Sequence, residues 1–178
     1  MKEYIFILLT LLGIVACKPI NPATPPSSTQ NTITEDSLFV TADFRKHGDY
    51  YNTGHQVYAI DLLSEGLSYD SLFRIEGSGC NLFLSDIFSI ADSLPSGHYT
   101  MDSLARDNTF LRGMYFEENI TGTYLLVINQ NKIQQIILFT SGSMDVSYID
   151  NDIHLNLTLY TSDSTRYHAI YQGPARYR

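Results

Sequence analysis

Tryptophan is absent from the 178 residues, and cysteine occurs only twice. Two cysteines exclude a disulfide-stapled mini-scaffold and any zinc site built from several thiolates. Basic residues are scarce: eleven Lys and Arg stand against nineteen Asp and Glu, a formal net charge of −8. Phosphate recognition needs a basic surface, so the balance argues against nucleic acid as the main partner. Proline is rare outside one stretch, with four of its six residues at Pro19, Pro22, Pro25 and Pro26. No apolar run reaches the ~20 residues that a membrane-spanning helix needs. No long window carries a helical i, i+3, i+4, i+7 stripe, and no fixed period suggests a solenoid or propeller. What is plentiful is tyrosine (13), phenylalanine (9) and small polar residues, a composition of strands and turns.

Residues 4–16 are apolar throughout, a length that suits the core of a signal peptide and falls short of a membrane span. They end in Ile14-Val15-Ala16-Cys17, which resembles the bacterial lipobox. That resemblance implies cleavage after residue 16 and acylation of Cys17, whose several chains would anchor the protein stably. Lys18 follows where an Asp would resemble an inner-membrane retention signal, so the outer membrane is the expected location, with the side of display undecided. Residues 17–36, rich in Pro, Ser and Thr, read as an extended tether, since they hold too few apolar side chains to form a core.

From residue 37 to 178 the pattern turns to alternation and describes a single β domain. Leu38, Val40, Ala42 and Phe44 share one strand face, with Phe39, Thr41, Asp43 and Arg45 opposite. Strand-like runs follow at 56–62, 72–76, 81–89, 97–101, 110–116, 123–129 and 133–139. The clearest is a closing meander through Met144, Val146 and Tyr148, then Ile153 to Leu159, then 166–171. Residues 86–93 are the best helix candidate, and a short one. Turn signals every eight to twelve residues predict an all-β, antiparallel β-sandwich, with a lipocalin-like β-barrel as the alternative.

Four pieces occur in order: Gly77-Ser78-Gly79-Cys80-Asn81-Leu82-Phe83-Leu84, Leu94-Pro95-Ser96-Gly97-His98-Tyr99-Thr100, Ser141-Gly142-Ser143-Met144-Asp145-Val146 and Tyr171-Gln172-Gly173-Pro174. Together they resemble a broad group of cell-envelope lipoproteins from Bacteroides and its relatives. The resemblance spans residues 40–174 and implies a β-rich envelope domain without transferring any site. Gly97 and Gly173 read as positions where a turn or close backbone approach excludes a Cβ.

Asp-Ser-Leu recurs at residues 36–38, 70–72, 92–94 and 102–104, with Asp163-Ser164-Thr165 as a related fifth triplet. The tripeptide resembles the acceptor of periplasmic O-glycosylation in Bacteroidetes, which makes Ser37, Ser71, Ser93, Ser103 and Ser164 candidate modification sites. The competing reading is plain turn chemistry at strand entries. Tyr50, Tyr51 and Tyr58 bracket an early loop and are the candidate binding residues, for a protein partner or a sugar. His47 and His55 flank the same loop without metal-ligand spacing, and His154 and His168 read as cross-strand neighbours. Cys80 reads as a buried structural residue, with a Cys80–His98 nucleophile pair as the sharper alternative. No cofactor, metal site or catalytic set emerges. The expectation is a lipid-anchored envelope protein with a non-enzymatic binding or scaffolding role; a barrel-type small-molecule carrier and a hydrolase are the alternatives.

Overall fold

The structure is a computed structural model that describes residues 39–175 and 177, all β with no helix among them. The signal segment, Cys17, the tether and Ser37 therefore lie outside the described residues. Strands follow in the order β1 (Phe39–Gly48), β2 (Gln56–Ser64), β3 (Leu67–Tyr69), β4 (Ile75–Gly77), β5 (Gly79–Ser89), β6 (Gly97–Asp102) and β7 (Thr109–Leu111). The second half holds β8 (Met114–Phe116), β9 (Asn119–Thr121), β10 (Tyr124–Asn129), β11 (Lys132–Leu138), β12 (Ser141–Ile149), β13 (Asp152–Tyr160) and β14 (Arg166–Pro174).

Ten of these form one sheet, ordered β1-β2-β5-β7-β6-β12-β13-β14, with the β10–β11 hairpin branching from the first half of β5. Phe44 bridges in parallel to Tyr177, so the two ends of the sheet meet and the barrel nearly closes. The antiparallel β-sandwich expected first gives way to the barrel-like alternative because the sheet's ends meet, and one neighbouring pair, β6 and β7, runs parallel. The core is the barrel interior, filled by alternate residues of every long strand, among them Phe44, Tyr58, Ile60, Leu84, Tyr99, Phe110, Met144, Leu155 and Leu157. With no Trp available, Phe, Tyr and Leu supply the bulk. A smaller apolar cluster of Leu63, Leu67 and Ile128 lies apart from it, with Tyr69 and Ile75 of the β3–β4 hairpin packed against it.

Two-residue turns join β12 to β13 and β10 to β11, whereas the last hairpin of the meander, β13 to β14, turns over residues 161–165. Asp150 and Asn151 sit at φ +51° and +72°, Gln130 and Asn131 at +49° and +62°, the left-handed pairs that match strand twist. The observed elements depart from the sequence reading in a few places. A register shift between Phe39 and Thr41 puts Phe39 inside and leaves Val40 57% exposed, so the expected Val40 face breaks at its first residues. Residues 86–89 finish β5, where pairing with β2 and β7 overrides any local helix tendency. Residues 70–73 form a turn, so the strand expected over 72–76 begins only at Ile75. A Cβ at Gly173 would meet the Tyr171 hydroxyl at 2.7 Å, whereas Gly97 has nothing within 4 Å; only the first of those two glycines answers to crowding.

Candidate functional site

The loop between β1 and β2 is held rigid by its own first residue. Asp49 accepts the Thr53 N–H on Oδ1 (2.8 Å) and the Gly54 N–H on Oδ2 (3.0 Å), while its carbonyl takes the Asn52 N–H at 3.2 Å. This turn projects Tyr50 and Tyr51 outward, 70% and 44% exposed. Their rings stand edge to face at 5.0 Å. Tyr51 also leans on Phe88 of β5 (5.9 Å), and the His55 ring meets the same Phe88 at 6.4 Å. The loop thus folds back onto the outer surface of the barrel wall.

Opposite the loop, β5 carries a bulge. Pairing with β2 shifts between Tyr58 and Ile60, so Ser85 and Asp86 together oppose Ala59. Asp86 takes φ +51°, a left-handed conformation that side chains other than Gly adopt at a cost. Its Oδ2 accepts the Ser85 hydroxyl at 2.7 Å. His47, Tyr50, Tyr51, Val57 and Asp86 line a recess of about 320 Å³. Burial first, and then the adjacent Asp86 carboxylate as charge and hydrogen-bond acceptor, push the Tyr51 hydroxyl up to about 12, so it stays a proton donor at neutral pH.

Tyr58 does not belong to this surface, and the expectation for it is corrected. It points into the barrel, 1% exposed, because β2 alternates inward at Tyr58, Ile60 and Leu62. Its hydroxyl donates to the Ala91 carbonyl at 2.8 Å. Tyr99 donates to the Pro95 carbonyl (3.0 Å) and Tyr148 to the Leu94 carbonyl (2.8 Å). Three tyrosines from three strands therefore hold the β5–β6 loop over one barrel mouth, with Leu94 as the stopper at 1% exposure. Near the other mouth an apolar cavity lined by Phe39, Leu125, Phe139 and Leu159 measures about 20 Å³. That is room for roughly one water, against the roughly 300–1,000 Å³ of small-molecule sites. It gives the carrier reading no support.

The serines of the repeated triplets lie on turns. Ser71, Ser93, Ser103 and Ser164 are all exposed. Asp70 Oδ1 accepts the Leu72 and Arg74 N–H groups, Asp102 Oδ1 those of Ser103 and Leu104, and Asp163 Oδ1 that of Thr165. The carboxylates thus close their own turns; the Arg74 N–H holds Asp70, and the Thr161 hydroxyl followed by the Thr165 N–H holds Asp163, below the ordinary carboxylate range. The triplets differ in their third residue: Leu94 is buried, whereas Leu72 and Leu104 are 69% and 51% exposed.

A second cluster escaped the sequence reading. Asp43 and Asp61 face each other across β1 and β2, each 7% exposed, on the outer side of the wall. Arg45 pairs with both, at 3.6 Å to Asp43 and closely with Asp61, and its guanidinium lies 5.2 Å from the centre of the Phe83 ring. Asn81 Nδ2 donates to Asp61 at 3.0 Å. Desolvation raises the Asp61 carboxyl, opposed by Asn81 and Arg45. The strand pattern puts Asp43 and Arg45 on one face, but nothing local announces that the face is covered.

Other candidates are kept apart. Cys80 is 1% exposed in the core, while His98 pairs at the surface with Asp145 (2.6 Å), so the nucleophile pair is not formed. His154 stands opposite Gln172 and His168 opposite Thr158; the two histidines are not cross-strand partners, and His168 contacts Asn156 at 2.8 Å. Comparison of the chain with protein-family models, curated proteins and solved structures finds no match.

Proposed function

We propose that the chain is a lipoprotein held in the outer membrane through Cys17, whose barrel presents the Tyr50–Tyr51 recess to an envelope protein or glycan. The role is binding, not catalysis. The observation that carries this reading is the position of the exposed tyrosine pair. The chain enters the domain at Phe39, and the ten-residue β1 (about 33 Å at strand rise) separates that entry from the loop. A tether ending at residue 36 would therefore leave the tyrosines at the far end of the domain from the bilayer. Exposed aromatics backed by a rigid turn are the kind of anchor that recognition surfaces use. The exposed His98–Asp145 pair has no enclosing wall to exclude water, since the two side chains are 57% and 63% exposed.

The test is site-specific photo-crosslinking in the lipidated, membrane-bound protein. A crosslinker replacing Tyr50 is compared with one replacing Asn119, at the exposed β8–β9 hairpin. A discrete adduct at position 50 that is missing at 119 supports the reading. Identical patterns at both positions, or none at 50, overturn it.

A further inference from the structure

We infer that the recess takes an ammonium group carried on an alkyl chain, seated beside the Tyr50–Tyr51 pair and against the Asp86 carboxylate. The inference rests on the reading of the recess as a binding site and names the chemistry it recognises. Three observations converge. The first is aromatic: two exposed tyrosines in edge-to-face contact at 5.0 Å line the recess. A ring face left open there attracts a cation.

The second is charge. Among the described residues, Asp86 is the one carboxylate lining the recess, and no Lys or Arg lines it. Among the described residues no cation forms an ion pair with Asp86. Lys46, next to His47 in the chain, turns instead to Asp92, which it meets at the carbonyl (3.0 Å) and the carboxylate (3.2 Å). Asp49, the other acid of the loop, is occupied by the Thr53 and Gly54 N–H groups. The hydroxyls of Ser85 and Tyr51 steady the Asp86 carboxylate and leave its charge unneutralised. A chain of net charge −8 adds a long-range pull on cations.

The third is the backbone. The β5 bulge sets two residues, Ser85 and Asp86, against Ala59 and aims the Asp86 side chain into the recess. A sugar would use the ring faces, but it gives an unpaired carboxylate no counter-charge. Val57 provides an apolar floor for an alkyl chain, and about 320 Å³ accommodates a short one. With the recess placed away from the tethering bilayer, the source that fits is a lysine side chain of a partner protein.

The experiment uses the full lipidated protein in detergent, with isotope-labelled tyrosine rings followed by NMR. Butylammonium and neutral 1-butanol are titrated separately. Butylammonium shifts the Tyr50 and Tyr51 signals saturably, binds about tenfold or more tighter than butanol, and weakens as salt rises. Asp86→Asn lowers the butylammonium affinity about tenfold and leaves butanol unchanged. Asp86→Gly loses the same affinity while matching or exceeding the parent in urea resistance, which separates a lost ligand contact from lost folding. Equal binding of the two probes, or unchanged affinity in Asp86→Asn, overturns the inference. Tighter binding of Nα-acetyl-lysine amide than of ethanolamine phosphate supports the protein source, and the reverse overturns it. A positive crosslink at Tyr50 without ammonium binding removes this inference and leaves the binding reading standing; no crosslink removes that reading.

Discussion

Arg45→Met tests whether the covered Asp43–Arg45–Asp61 cluster depends on charge. Methionine keeps much of the aliphatic length and removes the guanidinium that lies over Phe83. Two carboxylates, with side chains 9% and 10% exposed, are then left facing each other across β1 and β2. Breaking a fully buried ion pair costs about 3–5 kcal/mol. Arg45 retains 36% of its side-chain exposure, so water screens part of that and the loss falls to about 2 kcal/mol. With a urea dependence of about 1–3 kcal/mol per molar, the midpoint at about pH 7 drops by about 1 M. The pH dependence gives the sharper readout. The folded Asp61 carboxyl lies above its unfolded value, and removing Arg45 raises it further. A raised carboxyl gives stability that is complete below its unfolded value of about 3.9 and is lost as pH rises through its folded value. The variant therefore recovers toward the parent as pH falls from about 7 toward the unfolded value of about 3.9. A loss that stays constant over that range, or no loss at all, would refute the electrostatic account and reduce Arg45 to a packing residue.

Three further outcomes are expected. Leu94→Ala removes the stopper of the mouth under the β5–β6 loop and costs about 3 kcal/mol in urea unfolding; a loss under about 1 kcal/mol would show that the loop does not seal the core. Tyr148→Phe deletes the hydroxyl that donates to the Leu94 carbonyl and costs about 1 kcal/mol by the same assay, with no change counting against the tyrosine clasp. If the Asp-Ser-Leu triplets serve as O-glycosylation acceptors, peptides of the native protein carry glycan mass on one or more of Ser71, Ser93, Ser103 and Ser164. Unmodified peptides throughout would leave the triplets as turn chemistry alone.

The sequence announces strands where one face is buried and one is wet. Ile153, Leu155, Leu157 and Leu159 alternate with His154, Asn156 and Thr158, and the structure keeps that phase along all of β13. It is silent where both faces are covered: residues 57–64 of β2 are buried without interruption, so nothing in their order separates the interior Tyr58 from an exposed tyrosine. That is why Tyr50 and Tyr51 reach the surface as read while Tyr58 does not. The Asp86 bulge was hidden for a different reason. An aspartate in a left-handed bulge looks like any strand-edge acid until the register of β2 against β5 is known. Barrel closure likewise depends on the contact of Phe44 with Tyr177, some 130 residues away in the chain, which no local pattern encodes.

The central claim is that an acylated Cys17 tethers the barrel and leaves the tyrosine recess facing away from the membrane. Intact-mass analysis of the mature protein from membranes, with detergent phase partition of the parent and Cys17→Ser, tests it most directly. The account predicts a chain that begins at Cys17 with acyl mass on that residue, and a parent that enters the detergent phase while Cys17→Ser stays in the aqueous one. A mature chain without acyl mass at Cys17, or a Cys17→Ser protein that partitions like the parent, would contradict it.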